Sequence, residues 1–242
     1  MKRSQLYIIS IILLVYLIII LTFAAAKWGE VTCRGVRVTV DDARNAFVDD
    51  DEVMKWMQKG YGAILDKKIA TIDKDSLERV LAKNPMITSA QVYYSLDGYV
   101  YVNIGQREPV LRVMAGEGYY VDRDGQIMPL SSKFTSRVIV ATGNISQTFA
   151  CERLAPFVKD LVRHAFWNAF IEQVVVLPNG DVVLIPKVGD FKITLGPLEG
   201  YEERMEKLMI FLKRGIKKGG WDCYKEIKLK FDKQIVCVRR KI

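Results

Sequence analysis

Residues 6–26 form an apolar run broken only by Ser10 and Thr22 and preceded by Lys2 and Arg3. A helix rising about 1.5 Å per residue over this length reaches roughly 30 Å, the hydrocarbon thickness of a bilayer. The run therefore predicts a single transmembrane helix at residues 6–26, in contact with membrane lipid, with residues 1–5 as a short cytoplasmic tail. Ala24, Ala25 and Ala26 also spell a small-residue cleavage site, but the apolar core of a signal peptide is only about 7 to 15 residues long. An uncleaved anchor is the preferred reading. Lys27, Arg34 and Arg37 balance Lys2 and Arg3, so charge alone does not orient the span. Five residues are too few for a domain, which places the bulk of the chain on the far side.

The chain beyond this run is long enough for two small domains. The whole sequence carries 36 basic and 28 acidic residues, a net charge of +8. A modest excess of this kind favours anionic lipid or acidic partners; outside the cytoplasm, nucleic acid is not an expected one. Cys33, Cys151, Cys223 and Cys237 fit no zinc spacing. They read either as small buried thiols or, for Cys223 with Cys237, as a local bridge across a hairpin. The single histidine, His164, reads as a helix C-terminal or core residue.

Val36, Val38 and Val40 alternate with Arg37 and Thr39 as a half-buried strand does. Asp49, Asp50 and Asp51 supply an N-cap and a negative first turn for a helix over residues 53–59. Asp73 starts a second helix carrying Leu77, Val80 and Leu81, and Asn84-Pro85 closes it. Strands at residues 87–96 and 99–106 come next, joined at Asp97-Gly98, a favoured hairpin dipeptide. The order β-α-α-β-β over about 75 residues suits a sheet with two helices on one face.

From Pro109 onwards, short strands are expected at residues 110–113, 119–121 and 138–141, then a helix over residues 149–166. A meander occupies residues 171–177, 182–185 and 191–195, with Asn179-Gly180 as one turn. The clearest helix spans residues 201–218, with Met205, Leu208, Met209, Leu212 and Ile216 on one stripe. Its ends, Glu202 and Glu203 against Lys213 and Arg214, complement the helix dipole. Alternation at Ile227, Leu229 and Phe231 and again over residues 234–238 gives two last strands. The fold class is thus α+β: one transmembrane helix, a β-α-α-β-β domain, and a mainly antiparallel β domain with two helices.

The sequence shows no catalytic constellation. One histidine and the absence of a GxSxG elbow leave no triad. Gly116-Glu117-Gly118 lacks the third glycine and the βαβ frame of a dinucleotide site. Asp122 and Asp124 read as a turn between strands and residues 49–52 as a helix cap rather than as paired catalytic carboxylates. No cofactor, metal or small-molecule substrate is expected. The tyrosines 93, 94, 99 and 101 read as cross-strand packing.

Several local stretches carry a family likeness. Residues 69–91, IATIDKDSLERVLAKNPMITSAQ, resemble a POTRA domain, in which a helix ends at Asn-Pro before an "I..A.V" strand. Gln106-Arg107-Glu108-Pro109 resembles a junction "qr.P" into a β domain. Residues 119–125, YYVDRDG, and 227–238, IKLKFDKQIVCV, are similar to strands of that β domain. In this order, over nearly the whole chain after the apolar run, they resemble the FtsQ/DivIB family of bacterial cell-division proteins. Lys230-Phe231 stands where many members carry Arg-Tyr, and the cytoplasmic tail is shorter than in the best-known members.

The resemblance implies a POTRA-like domain at residues 30–106 and a β domain at residues 107–242. It implies a non-enzymatic divisome scaffold, single-pass in the bacterial cytoplasmic membrane with the N-terminus inside, working at the division septum. Its implied partners are FtsB-like and FtsL-like single-pass proteins. A last strand leaves an unpaired edge to which an extended partner can add. The expected partner-binding residues are therefore Lys230, Phe231, Asp232, Lys233, Gln234, Ile235, Val236, Cys237 and Val238, with Phe231 as an aromatic anchor. Alternation leaves open that Phe231, Ile235 and Cys237 are core residues instead. The alternatives in function are another POTRA-type export factor, or an anchored cell-wall hydrolase marked by two carboxylates facing one cleft.

Overall fold

The computed structural model describes residues 3–28, 30–41, 47–214, 220–231 and 234–240. It opens with helix α1 (Arg3–Trp28). Among the described residues, however, no helix is long and apolar enough to cross a membrane. This corrects the transmembrane helix expected at residues 6–26 and the single-pass inner-membrane location built on it.

Two compact units divide the chain, Met1–Gln106 and Arg107–Ile242. In the first, β1 (Gly35–Val40), α2 (Asp50–Gly60), α3 (Lys74–Ala82), β2 (Ile87–Tyr94) and β3 (Tyr99–Gln106) make a three-stranded sheet of order β1-β3-β2. β3 is central, antiparallel to β2 and parallel to β1. The parallel pairing arises from the two helices between β1 and the hairpin, because a chain that must re-enter a sheet in the same direction needs a crossover.

The helices start where the sequence places them. The Asp49 carboxylate accepts from the Glu52 amide at 2.8 Å and the Glu52 side chain reaches back to the Asp49 amide, closing a capping box. Asp73 caps α3 through the amides of Asp75 and Ser76, at 3.1 and 3.2 Å. Val53, Met57, Leu77 and Leu81 are buried with Val100, Val102 and Ile104 of the central strand. Gly98 turns the hairpin at φ +91°, and a Cβ there would meet the Thr32 carbonyl oxygen at 2.8 Å. Glycine is the residue that satisfies both demands.

The second unit contains β4 (Pro109–Val113), β5 (Tyr119–Asp122), β6 (Ile127–Met128) and β7 (Ile139–Gly143). Next comes a helical segment of α4 (Gln147–Phe149), α5 (Ala155–Arg163) and α6 (Ala165–Phe170). The chain then runs through β8 (Ile171–Val176), β9 (Val182–Pro186), β10 (Lys192–Gly196), α7 (Tyr201–Arg214), β11 (Tyr224–Lys228) and β12 (Val236–Arg239). One nine-stranded sheet results, in the order β12-β11-β10-β9-β8-β7-β4-β5-β6.

This sheet is mixed rather than mainly antiparallel. β4 with β7, β7 with β8, and β10 with β11 are parallel. Two of these pairs are joined by helical crossovers, residues 144–170 and α7, which return the chain to the same end of the sheet. Alternation within a strand does not encode the direction of its neighbour, so the sequence pattern missed this. Leu154, Phe157 and Leu161 share one core with Leu111, Val174, Ile193 and Ile227 of the sheet and with Leu208 of α7.

The helix expected over residues 149–166 is interrupted. A π-helical turn at Ala150–Leu154 precedes α5, which has Pro156 in its first turn. Pro156 has no N–H to offer the Glu152 carbonyl, and the wider turn absorbs that loss. At His164 the backbone leaves helical geometry (φ −91°, ψ 110°), so this histidine caps α5 and is exposed. The helix expected over residues 201–218 is described to Arg214; Ile216, Lys217, Lys218 and Gly219 lie outside the described residues.

Candidate functional site

β12 is the terminal strand of the nine-stranded sheet and pairs on one side with β11. The register sets Val238 opposite Glu226, Cys237 opposite Ile227 and Val236 opposite Lys228. The Arg240 amide donates to the Cys223 carbonyl at 3.0 Å. Backbone groups of successive strand residues point to opposite sides, so Val238 and Val236 face β11 together with Arg240. The N–H and C=O of Cys237 and Arg239 consequently point away from the sheet. They are the polar groups an extended partner would pair with.

The expected residues divide among several positions. Phe231 lies just past the end of β11 and is 39% exposed, which removes it from the core. Lys230 lies beside it, with its ammonium 5.8 Å from the Phe231 ring centre and 3.7 Å from an Asp181 carboxylate oxygen. Asp232 and Lys233 lie outside the described residues. Gln234 is exposed, whereas Ile235 and Cys237 pack partly against the core. Val236 is half-buried and Val238 exposed on the opposite face.

Strand β11 holds this edge in place through Glu226. Its carboxylate accepts from the Thr194 hydroxyl at 2.7 Å and lies 3.7 Å from Lys192 and 3.6 Å from Lys228. Burial opposes its ionisation, but the Thr194 hydroxyl and the two ammonium groups outweigh it and hold the carboxyl below its ordinary pKa. At the end of β12, the Arg240 guanidinium meets the Asp190 carboxylate at 2.7 Å. A groove of about 820 Å³ lies alongside, lined by Phe191, Lys192, Lys225, Val238 and Arg239. Arg239 and Arg240 were missed in the sequence because a basic C-terminal pair after an alternating stretch also reads as a solvated end.

The thiols offer no chemistry here. Cys33, Cys151 and Cys237 are free thiols. Cys237 stands opposite Ile227 while the Cys223 carbonyl is reached by Arg240, three residues further along β12. Three residues of strand span about 10 Å, beyond the reach of a disulfide. Burial raises the Cys237 thiol pKa, with Arg239 offsetting it only in part, so the group is protonated at neutral pH and a poor nucleophile. Among the described residues no cluster of histidine, cysteine or acidic side chains is arranged to hold a metal ion.

The comparisons agree with the two-unit architecture. Residues 31–105 match a POTRA-like domain, and residues 108–238 match the model described as FtsQ/DivIB, C-terminal related. No curated protein matches the chain. The second match covers more than half of the sequence and includes the whole nine-stranded sheet up to Val238 of its terminal strand: the chain belongs to the FtsQ/DivIB family of cell-division scaffold proteins.

Proposed function

We propose that this chain is a non-enzymatic division scaffold that captures FtsB-like and FtsL-like proteins at the septum by adding a partner strand to the outer edge of β12. The observation that carries the reading is the outward direction of the Cys237 and Arg239 backbone groups on a terminal strand. Backbone pairing would supply affinity. Exposed Val238 on β12 offers an apolar contact beside it, and Phe231 is exposed past the end of β11. A hydrolase reading finds less support. Among the described residues, the groove beside β12 contains one carboxylate, Asp190, and the cleft near α5 also contains one, Glu172, whereas glycosidase chemistry uses two across a single cleft.

Co-purification of FtsB-like and FtsL-like proteins with the full chain and with a chain ending at residue 229 tests the edge. The truncated chain is expected to fold and to lose the partners; undiminished recovery with a folded truncation sinks the strand-addition reading. Depletion tests the cellular role, with filaments containing separated nucleoids and no septa as the expected phenotype. Normal septation under depletion would overturn it.

A further inference from the structure

The N-terminal ends of three parallel strands, β4, β7 and β8, enclose a second cleft. Ladder pairing of β7 begins at Ile139 with β4 and at Val140 with β8, so the chain at Val138 enters between strands that have already begun to separate. The gap opens into a cavity of about 700 Å³. Val110, Val138, Val140, Val162 and Ile171 give it an apolar floor, and Arg123, Arg137, Lys159, Arg163 and Lys187 form its rim. Among the described residues, Glu172 is the one carboxylate in the lining.

The rim charges are only partly compensated. Arg123 pairs with Glu108 at 2.8 Å and Arg163 with Asp160 at 3.4 Å. Lys159 and Lys187 instead donate to backbone carbonyls, those of Arg123 at 2.8 Å and Asn168 at 3.1 Å. Arg137 is exposed and has no ion-pair partner among the described residues. Three cations thus border an apolar trough without a carboxylate of their own.

We propose that this cleft docks an acidic segment of a partner protein, one in which apolar side chains alternate with aspartate or glutamate. The alternation answers both features of the site: apolar side chains on the floor, carboxylates toward the rim. A compact polyanion fits less well. Lys159 and Lys187 are tethered to carbonyls of different segments rather than converging on one point. The inference does not rest on strand addition, since no residue of β11 or β12 lines the cavity.

Fluorescence anisotropy with the full chain tests it, using a fluorescein-labelled octapeptide alternating leucine and glutamate. Control peptides alternate leucine with glutamine and serine with glutamate. Binding of the first peptide is expected to weaken at least tenfold in Arg137→Glu and in Lys187→Glu, to fall with added salt, and to exceed that of either control by at least tenfold. Arg137 is exposed, so Arg137→Glu decides the matter even if Lys187→Glu fails to fold by circular dichroism. Arg239→Pro, which targets β12, is expected to leave peptide binding unchanged. Equal binding by wild type and Arg137→Glu would overturn the proposal, as would equal binding of the leucine-glutamine peptide. So would displacement of the labelled peptide by inorganic tripolyphosphate at lower concentration than by unlabelled peptide, which would make the cleft a polyanion site.

Discussion

Arg107 and Asp122 form the most buried ion pair described in the second unit: Nη1 of the arginine lies 2.7 Å from Oδ2 of a carboxylate that is 3% exposed. The other carboxylate oxygen accepts from the amides of Asp124 and Gln126 at 2.9 and 2.7 Å, which fixes the turn between β5 and β6. One side chain therefore ties the first residue of the unit to the end of the β5 strand. Asp122→Ala would leave the guanidinium uncompensated and two amides unpaired, at an expected cost of about 3–5 kcal/mol. Chemical denaturation of the full chain followed by tryptophan fluorescence would measure it. A loss below about 1 kcal/mol would mean that water replaces the carboxylate at little cost.

The direction of backbone groups along β12 gives a sharper test of strand addition than truncation does. Arg239→Pro removes an outward N–H and leaves the bonds to β11 in place, so partner recovery should collapse while the melting temperature changes little. Val238→Pro removes an inward N–H and should destabilise the β11–β12 pair itself. Arg239→Ala should retain most partner binding, because it keeps the backbone. The same recovery from Arg239→Pro as from wild type would remove β12 from the interface.

Tyr94 makes the first unit sensitive to high pH. Its hydroxyl donates to the Ile72 carbonyl at 2.7 Å, and burial, with smaller contributions from Tyr61 and Asp73, pushes its pKa up to about 12. The folded state thus holds the proton more tightly than the unfolded chain, whose tyrosines titrate near 10. The stabilisation is complete below pH 10 and is lost as the pH rises through about 12. Tyr94→Phe should cost about 1 kcal/mol at neutral pH and flatten the decline in stability between pH 10 and 12. Denaturant midpoints of the two proteins across that range provide the check.

Gly143, at the end of β7, has φ +103°, and a Cβ there would lie 2.1 Å from the Val176 carbonyl oxygen. Both the backbone conformation and the contact with β8 require glycine. Gly143→Ala should destabilise the unit by more than about 2 kcal/mol, through strain and displacement of the β7–β8 pairing. A thermal melt within a degree of wild type would show that the strand end shifts freely.

Much of the local structure is legible in the residues. Asp49 and Asp73 cap their helices because a short carboxylate at that position satisfies amides that no helical carbonyl can reach. Asp97-Gly98 turns its hairpin because glycine admits a positive φ. The alternation around Cys237 marks a strand near the C-terminus, although its bounds shift to Val236–Arg239. Strand direction was not legible: β7 and β10 carry the same kind of apolar pattern whether their neighbours run parallel or antiparallel. The interruption at Ala150–Leu154 was missed for a similar reason, since apolar spacing continues smoothly through a turn widened for Pro156.

By itself the sequence determined the order of elements, their caps and turns, and the family likeness, because each depends on residues close together along the chain. It also suggested a membrane span, which the described helix does not support. Only the tertiary structure decided which strand lies at the end of the sheet, which side of β12 its amides face, and that Arg123, Arg137, Lys159 and Lys187 meet around one apolar cleft. Those relationships depend on long-range pairing and crossover direction, which local residue patterns do not specify.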